Sequence, residues 1–263
     1  MKDGPLTEAL HAEWTKQRTV AVTGWLLLTA AVLTGAVSAA TAATVHCPAT
    51  GCGLDPARAS LTGVEFGQAV VAILAVLTIS NEYSTGMIRT TLAAMPRRTT
   101  VLTAKALMVA ALALVAGVVG VLGSVLAGAL LLPGHGFNAA HGFAPLSLAD
   151  GPVLRAAGGS VLYLMLIALL SLGVATAVRE PVVAIGLVLA LLYLFPLLAR
   201  VAASAEWGRH LQQAGPMTAG LAIQATTHLR TLPIQPWPGL GVLTAWAAAA
   251  LLAGGLVLRL RDA

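Results

Sequence analysis

Charge is what this sequence lacks most. Only 10% of its 263 residues are Asp, Glu, Lys or Arg, where a soluble domain carries about 25% to keep its surface wet. Lysine is scarcer still: Lys2, Lys16 and Lys105 stand against twelve arginines. None of the three follows a glycine, so the phosphate-cradling loop Gly-x-x-x-x-Gly-Lys-Ser/Thr of an ATPase is nowhere in the chain. Aromatic residues make up 5% and no basic stripe runs beside them, which argues against a nucleic-acid surface despite a net charge of +5. Intramembrane serine proteolysis needs a serine and a base at one depth. Ser124, Ser160 and Ser171 have no such partner, because His46, His135, His141, His210 and His228 fall in loops and His11 lies near the start. Carboxylates are nearly missing from the apolar runs, and Glu65 is the one candidate. Ion-coupled carriers place such groups near the bilayer midplane.

What fills the chain instead is apolar sequence, 58% of it, with a mean hydropathy of +0.87. It comes in runs of about 18 or more uncharged residues, long enough to cross a hydrocarbon layer roughly 30 Å thick as helices. Six such spans are expected: Val20–Val45, Thr62–Ser80, Val101–Leu132, Val153–Val178, Val182–Ala199 and Leu240–Leu258. The first is too long for a signal-peptide core of about 7–15 residues, so it reads as a retained span. Gly117, Gly120, Gly123 and Gly128 along the third span let neighbouring backbones approach, and Pro196 kinks the fifth or marks its outer end. The fold class is therefore all-α, a polytopic membrane protein in one domain over residues 1–263.

Residues 5–18, PLTEALHAEWTKQR, place Leu6, Leu10 and Trp14 on one helical face, away from Glu8, Lys16 and Arg18. An amphipathic helix lying in the membrane interface follows, with Trp14 and Lys16 at headgroup depth. Basic residues give the orientation. With the amino terminus inside, the inner side holds ten (Lys2, Lys16, Arg18, Arg89, Arg97, Arg98, Lys105, Arg179, Arg259 and Arg261) and the outer side five (Arg58, Arg155, Arg200, Arg209 and Arg230). Both termini and the polar stretch SNEYSTGMIRTTLAAMPRR at 80–98 are thus expected in the cytoplasm. Within that stretch Ile88, Leu92 and Met95 share a helical face. Pro96 stops the helix, and Arg97 and Arg98 hold the chain at the headgroups.

The run Glu82-Tyr83-Ser84-Thr85-Gly86-Met87-Ile88-Arg89, followed by Leu92, Pro96, Arg97-Arg98 and Lys105, resembles the permease subunits of ATP-binding-cassette exporters of the ABC-two class. His11-Ala12-Glu13-Trp14-Thr15-Lys16 is similar to their amino-terminal segment, and Pro216-Met217-Thr218-Ala219-Gly220 to a stretch between their last two spans. The departure is Met87, where relatives often carry a small polar residue. The resemblance implies a type-V-exporter-like permease that pairs with a second permease, one identical to it being expected, and with two copies of a cytoplasmic ATPase subunit. That partner, not this chain, would bind ATP and Mg. Glu82, Tyr83, Thr85, Gly86, Ile88 and Arg89 would form the ATPase-coupling region within a cytoplasmic coupling helix at 81–98. Residues 5–18 would be the connecting helix, and 203–236 an external segment of short helices capping the pathway. The setting would be the bacterial cytoplasmic membrane, among its lipids, and the cargo an amphipathic drug, antibiotic, peptide or lipid.

The outer loop His46-Cys47-Pro48-Ala49-Thr50-Gly51-Cys52 holds both cysteines. Outside a bacterial membrane they suit a short disulfide, with Pro48 and Gly51 turning the chain; free thiols, or an incomplete metal site with His46, are the alternatives. Glu65 either lines the exit pathway or reaches for the outer headgroups. Two other functions fit less of the sequence: a membrane scaffold or sensor that uses 80–98 to bind a regulator, and a secondary carrier built on Glu65.

Overall fold

The computed structural model describes residues 5–47, 53–87, 98–202 and 204–261. All six runs expected to cross a membrane are helices long and apolar enough to do so. They are Ala21–Thr44, Val64–Ser84, Arg98–Leu131, Gly151–Val178, Pro181–Val201 and Pro236–Arg261. No strand occurs among the described residues. The shortest, at 21 residues, is about 32 Å long at 1.5 Å per residue, enough for the hydrocarbon layer. An amino-terminal helix, Pro5–Thr19, precedes the first span.

Helix starts follow local chemistry. Pro181 opens the fifth span, where its missing N–H is no loss. Glu180 caps that helix by accepting from the Val183 N–H at 2.5 Å. Arg179, at φ 69°, makes the left-handed turn that ends the fourth span, so only Arg179 and Glu180 separate the fourth and fifth spans. Pro196 lies inside the fifth span, which continues as helix to Val201.

The fourth span is the centre of the bundle, packing against the second, third, fifth and sixth. Tyr163, Leu164, Ile167, Leu170 and Leu172 on it are almost wholly buried. Outward-facing leucines and valines are instead left bare on the other spans, as at Leu130, Val182 and Leu252, each about 70% exposed. An apolar surface that extensive is out of place in water and fits a lipid surround.

Two close crossings fix the bundle. A Cβ on Gly63 would lie 1.9 Å from the Thr34 carbonyl oxygen, and one on Gly67 would lie 2.0 Å from Thr34 Oγ1, so the first and second spans meet backbone to backbone. Gly173 and Gly254 do the same for the fourth and sixth spans, where a Cβ on either would meet backbone atoms at 2.4–2.6 Å. Of the third-span glycines, Gly120 meets Thr34, Gly117 meets Leu164 and Gly128 meets Ser60, while Gly123 faces open space.

Between the fifth and sixth spans the chain does not simply loop over the end. After a helix at Ala205–Ala214 it turns inward, and the Pro216–Gly220 helix with the following turn at Leu221–Gln224 is largely buried. Gly220 lies on the Tyr163 ring and Gly239 on the Ala219 carbonyl. The expected external segment of short helices is thus a plug wedged against the fourth and sixth spans.

Candidate functional site

The third span carries a lysine eight residues into its helix, Lys105, whose side chain has no solvent exposure. An ammonium buried in an apolar bundle is tolerated only when paired and hydrogen-bonded. Two carboxylates meet it. Glu82 Oε1, from the last turn of the second span, accepts at 2.7 Å. Glu13 Oε1 and Oε2, from the amino-terminal helix, accept at 3.0 and 3.1 Å. Lys16, one turn on from Glu13 and a third exposed, bonds the same Glu82 oxygen at 2.6 Å and Glu13 at 3.4 Å. Two positive and two negative charges thus lock three elements at one end of the bundle. Burial alone would pull the Lys16 ammonium down, but the hydrogen bond to Glu82 and the charges of Glu13 and Glu82 hold it above its usual 10.5. Its contribution is therefore whole below pH 10.5 and fades only as pH rises through the higher folded-state value.

The polar stretch begins inside this cluster. Expected as the first turns of a separate coupling helix, residues 81–84 instead complete the second span, and Glu82 is buried rather than displayed. Thr85 and Gly86 end that helix. The Thr85 N–H and hydroxyl both donate to the Asn81 carbonyl, at 3.2 and 2.7 Å. Gly86 takes φ 72°, the left-handed conformation that a helix C-terminus favours and glycine supplies without strain. Tyr83 packs against the core, its ring 5.3 Å from the Arg179 guanidinium. Met87 is exposed. Ile88, Arg89 and Arg97 lie outside the described residues, as does most of the 81–98 helix.

Two of the residues expected at the membrane interface, Arg98 and Trp14, lie among the described residues. Arg98 does not simply extend to headgroups: its Nη1 donates to the carbonyls of Leu258 at 2.7 Å and Arg259 at 3.1 Å. Arg179 Nη2 donates to Val257 at 3.2 Å. The two arginines cap the carboxyl end of the sixth span, where orphan carbonyls and the helix dipole both favour cations. In the amino-terminal helix Ala9 and Glu13 form the side buried against the bundle, while Leu6 and Trp14 are exposed. Trp14 is half exposed, on the outside of the bundle. Beside the cluster, between the amino-terminal helix and the first and second spans, lies a groove of about 230 Å³ lined by Gln17, Thr23, Asn81 and Met87 among others.

At the opposite end Glu65 is the second residue of the second span and half buried. Its backbone carbonyl accepts from the Tyr193 hydroxyl at 2.7 Å and Gln68 Nε2 at 3.0 Å. Gln68 in turn is bonded by the buried Tyr163 hydroxyl. Asp55 ties the loop between the first and second spans to the chain just after the plug: it caps the Pro56–Ser60 helix and accepts from Thr226 Oγ1 at 2.7 Å and the Thr227 N–H at 2.9 Å. Cys47 is buried beside Phe137; Cys52 lies outside the described residues, so the proposed disulfide does too. Among the described residues no three His, Cys, Asp or Glu side chains gather as metal ligands.

Removing Lys105 as Lys105→Met leaves two buried carboxylates with the partly exposed Lys16 as their only counter-charge in the cluster, and breaking a buried pair in this way costs about 3–5 kcal/mol. Lys16→Met, at a partly exposed position, costs much less. Thermal unfolding in detergent measures both, and an equal loss would contradict the buried cluster. Burial opposes ionisation of Asp55, but its bonds from Thr226, Thr227 and Arg58 hold its carboxyl below the usual 3.8. Its stabilisation is complete above that value and lost as pH falls through the lower folded-state value. The acid-induced fall in Tm between about pH 4 and about pH 2 is therefore smaller in Asp55→Asn than in wild type, and identical acid profiles would contradict the latch. No protein-family profile and no curated protein matches the chain, so its own residues carry the functional reading.

Proposed function

We propose that the chain is the membrane-spanning permease subunit of an ATP-driven exporter of the ABC-two class. It works with a second, identical permease and two cytoplasmic ATPase subunits that bind ATP and Mg. In this reading it lies in the bacterial cytoplasmic membrane with both termini inside, and exports an amphipathic drug, antibiotic, peptide or lipid. The observation that supports it best is the cluster of Glu13, Lys16, Glu82 and Lys105. It binds the amino-terminal helix and the root of the polar stretch to the ends of two spans. On this reading a push on the end of the second span at Thr85 and Gly86 would pass to the third span through the Glu82–Lys105 pair.

The missing phosphate loop supports an external ATPase. Ile88 and Arg89, with Thr85 and Gly86, are the residues proposed to meet it. Bare apolar faces on the first, fifth and sixth spans leave room for lipid and for a second permease.

Pull-down from native membranes tests the reading. Wild-type protein brings down an ATPase subunit, and Arg89→Ala recovers it at least about tenfold less, the loss of more than about 1.4 kcal/mol expected when a charged contact at an interface is removed. Recovery of no ATPase with the wild type, or undiminished export when that ATPase's phosphate-loop lysine is replaced, would overturn the proposal.

A further inference from the structure

At the end of the bundle away from the chain termini, three charges from separate elements surround one cavity of about 270 Å³. Arg58 comes from the short helix Pro56–Ser60, Glu65 from the start of the second span and Arg200 from the end of the fifth. Both arginines line the same space as Glu65. Yet no ion pair within 4.0 Å closes between them among the described residues, where all such pairs belong to the Glu13 cluster. The charges stand around the space rather than neutralising one another across it. Its remaining wall is mostly apolar, with Pro196 and Ala199 from the fifth span and Met217 and Leu221 from the plug.

The cavity is smaller than the roughly 300–1,000 Å³ of drug-sized pockets and suits a headgroup. Its position at the ends of two spans is the depth at which a membrane amphiphile carries its polar part, with its chains running along the apolar helix faces. Two arginine forks match a phosphate, which guanidinium groups bind through paired charge-assisted hydrogen bonds. Glu65 then needs a cation. A purely anionic ligand would leave that carboxylate repelled, whereas a phosphate with an ammonium beside it answers all three charges.

We propose that this cavity is a binding site for the headgroup of a zwitterionic phospho-amphiphile, with Arg58 and Arg200 on the phosphate and Glu65 on the ammonium. The site belongs to the single chain and stands whether or not the chain works with an ATPase. Tyr193, whose hydroxyl bonds the Glu65 backbone carbonyl, and the Asp55 link to Thr226 hold the walls in place without entering the charge balance.

Delipidated protein in detergent, offered short-chain phosphatidylethanolamine and phosphatidylglycerol in equal amounts, tests the site by native mass spectrometry. Wild-type protein retains phosphatidylethanolamine over phosphatidylglycerol by about fivefold or more, and Arg58→Gln with Arg200→Gln lowers the retained lipid about tenfold, as expected when two charge-assisted contacts are lost. Both arginines are exposed, so their replacement leaves the fold intact. Glu65→Gln keeps lipid bound but brings the preference close to one. Free phosphoethanolamine competes with the lipid in wild type. Equal lipid retention by wild type and the double arginine variant would overturn the site. An unchanged preference in Glu65→Gln would overturn the role of the carboxylate. Binding of free phosphoethanolamine without any lipid adduct would make the ligand a soluble phosphate ester and overturn the amphiphile.

Discussion

A lysine ammonium with no access to water has to find its counter-charges inside the protein, and Lys105 finds both of its carboxylates on other elements. That requirement sets the whole end of the bundle where the chain begins and ends. Glu13 draws the amino-terminal helix against the third span, and Glu82 holds the last turn of the second span beside it. Lys16 then balances the second carboxylate. Two other arginines, Arg98 and Arg179, close the sixth span at the same end by binding its final carbonyls.

The far end is held by different means. A glycine crossing at Gly63 and Gly67 brings the first and second spans within backbone contact, and the plug at Pro216–Gln224 wedges against the fourth. Asp55 and the Gln68–Tyr163 pair join loop, span and plug by hydrogen bonds instead of ion pairs. Close packing of this sort transmits displacement rather than absorbing it. On the proposed reading, a force entering at the polar stretch would reach the plug through the second and fourth spans, which touch along much of their length.

The spans were legible in the sequence because the cost of putting charge in hydrocarbon writes them as long uncharged runs, and their ends fall within about four residues of expectation. The second span shows where that signal fails. Asn81, Glu82 and Tyr83 are polar enough to look like a loop, but the helix continues through them because Glu82 is neutralised by partners 23 and 66 residues away. No local pattern records such distant pairs. Lys105 was the available clue: a lone charge inside an apolar run demands a counterion, yet by position it also passed for a loop residue counted toward orientation. The amphipathic pattern of the amino-terminal helix likewise says nothing of which side packs on the bundle, which is that of Ala9 and Glu13. Gly86 was identified only by resemblance; its positive φ supplies the physical reason for a glycine there.

On the proposed reading the buried cluster couples the ATPase-docking region to the spans, and Glu82→Gln tests this most directly. The substitution keeps the side chain's size while removing the charge shared by Lys16 and Lys105. The measurement is ATP hydrolysis by the co-purifying ATPase, reconstituted with this chain in nanodiscs and normalised to the amount of ATPase bound. The account predicts that the permease-dependent part of that hydrolysis falls about tenfold or more while the ATPase stays bound, equivalent to about 1.4 kcal/mol of lost coupling. Unchanged permease-dependent hydrolysis in Glu82→Gln would contradict it.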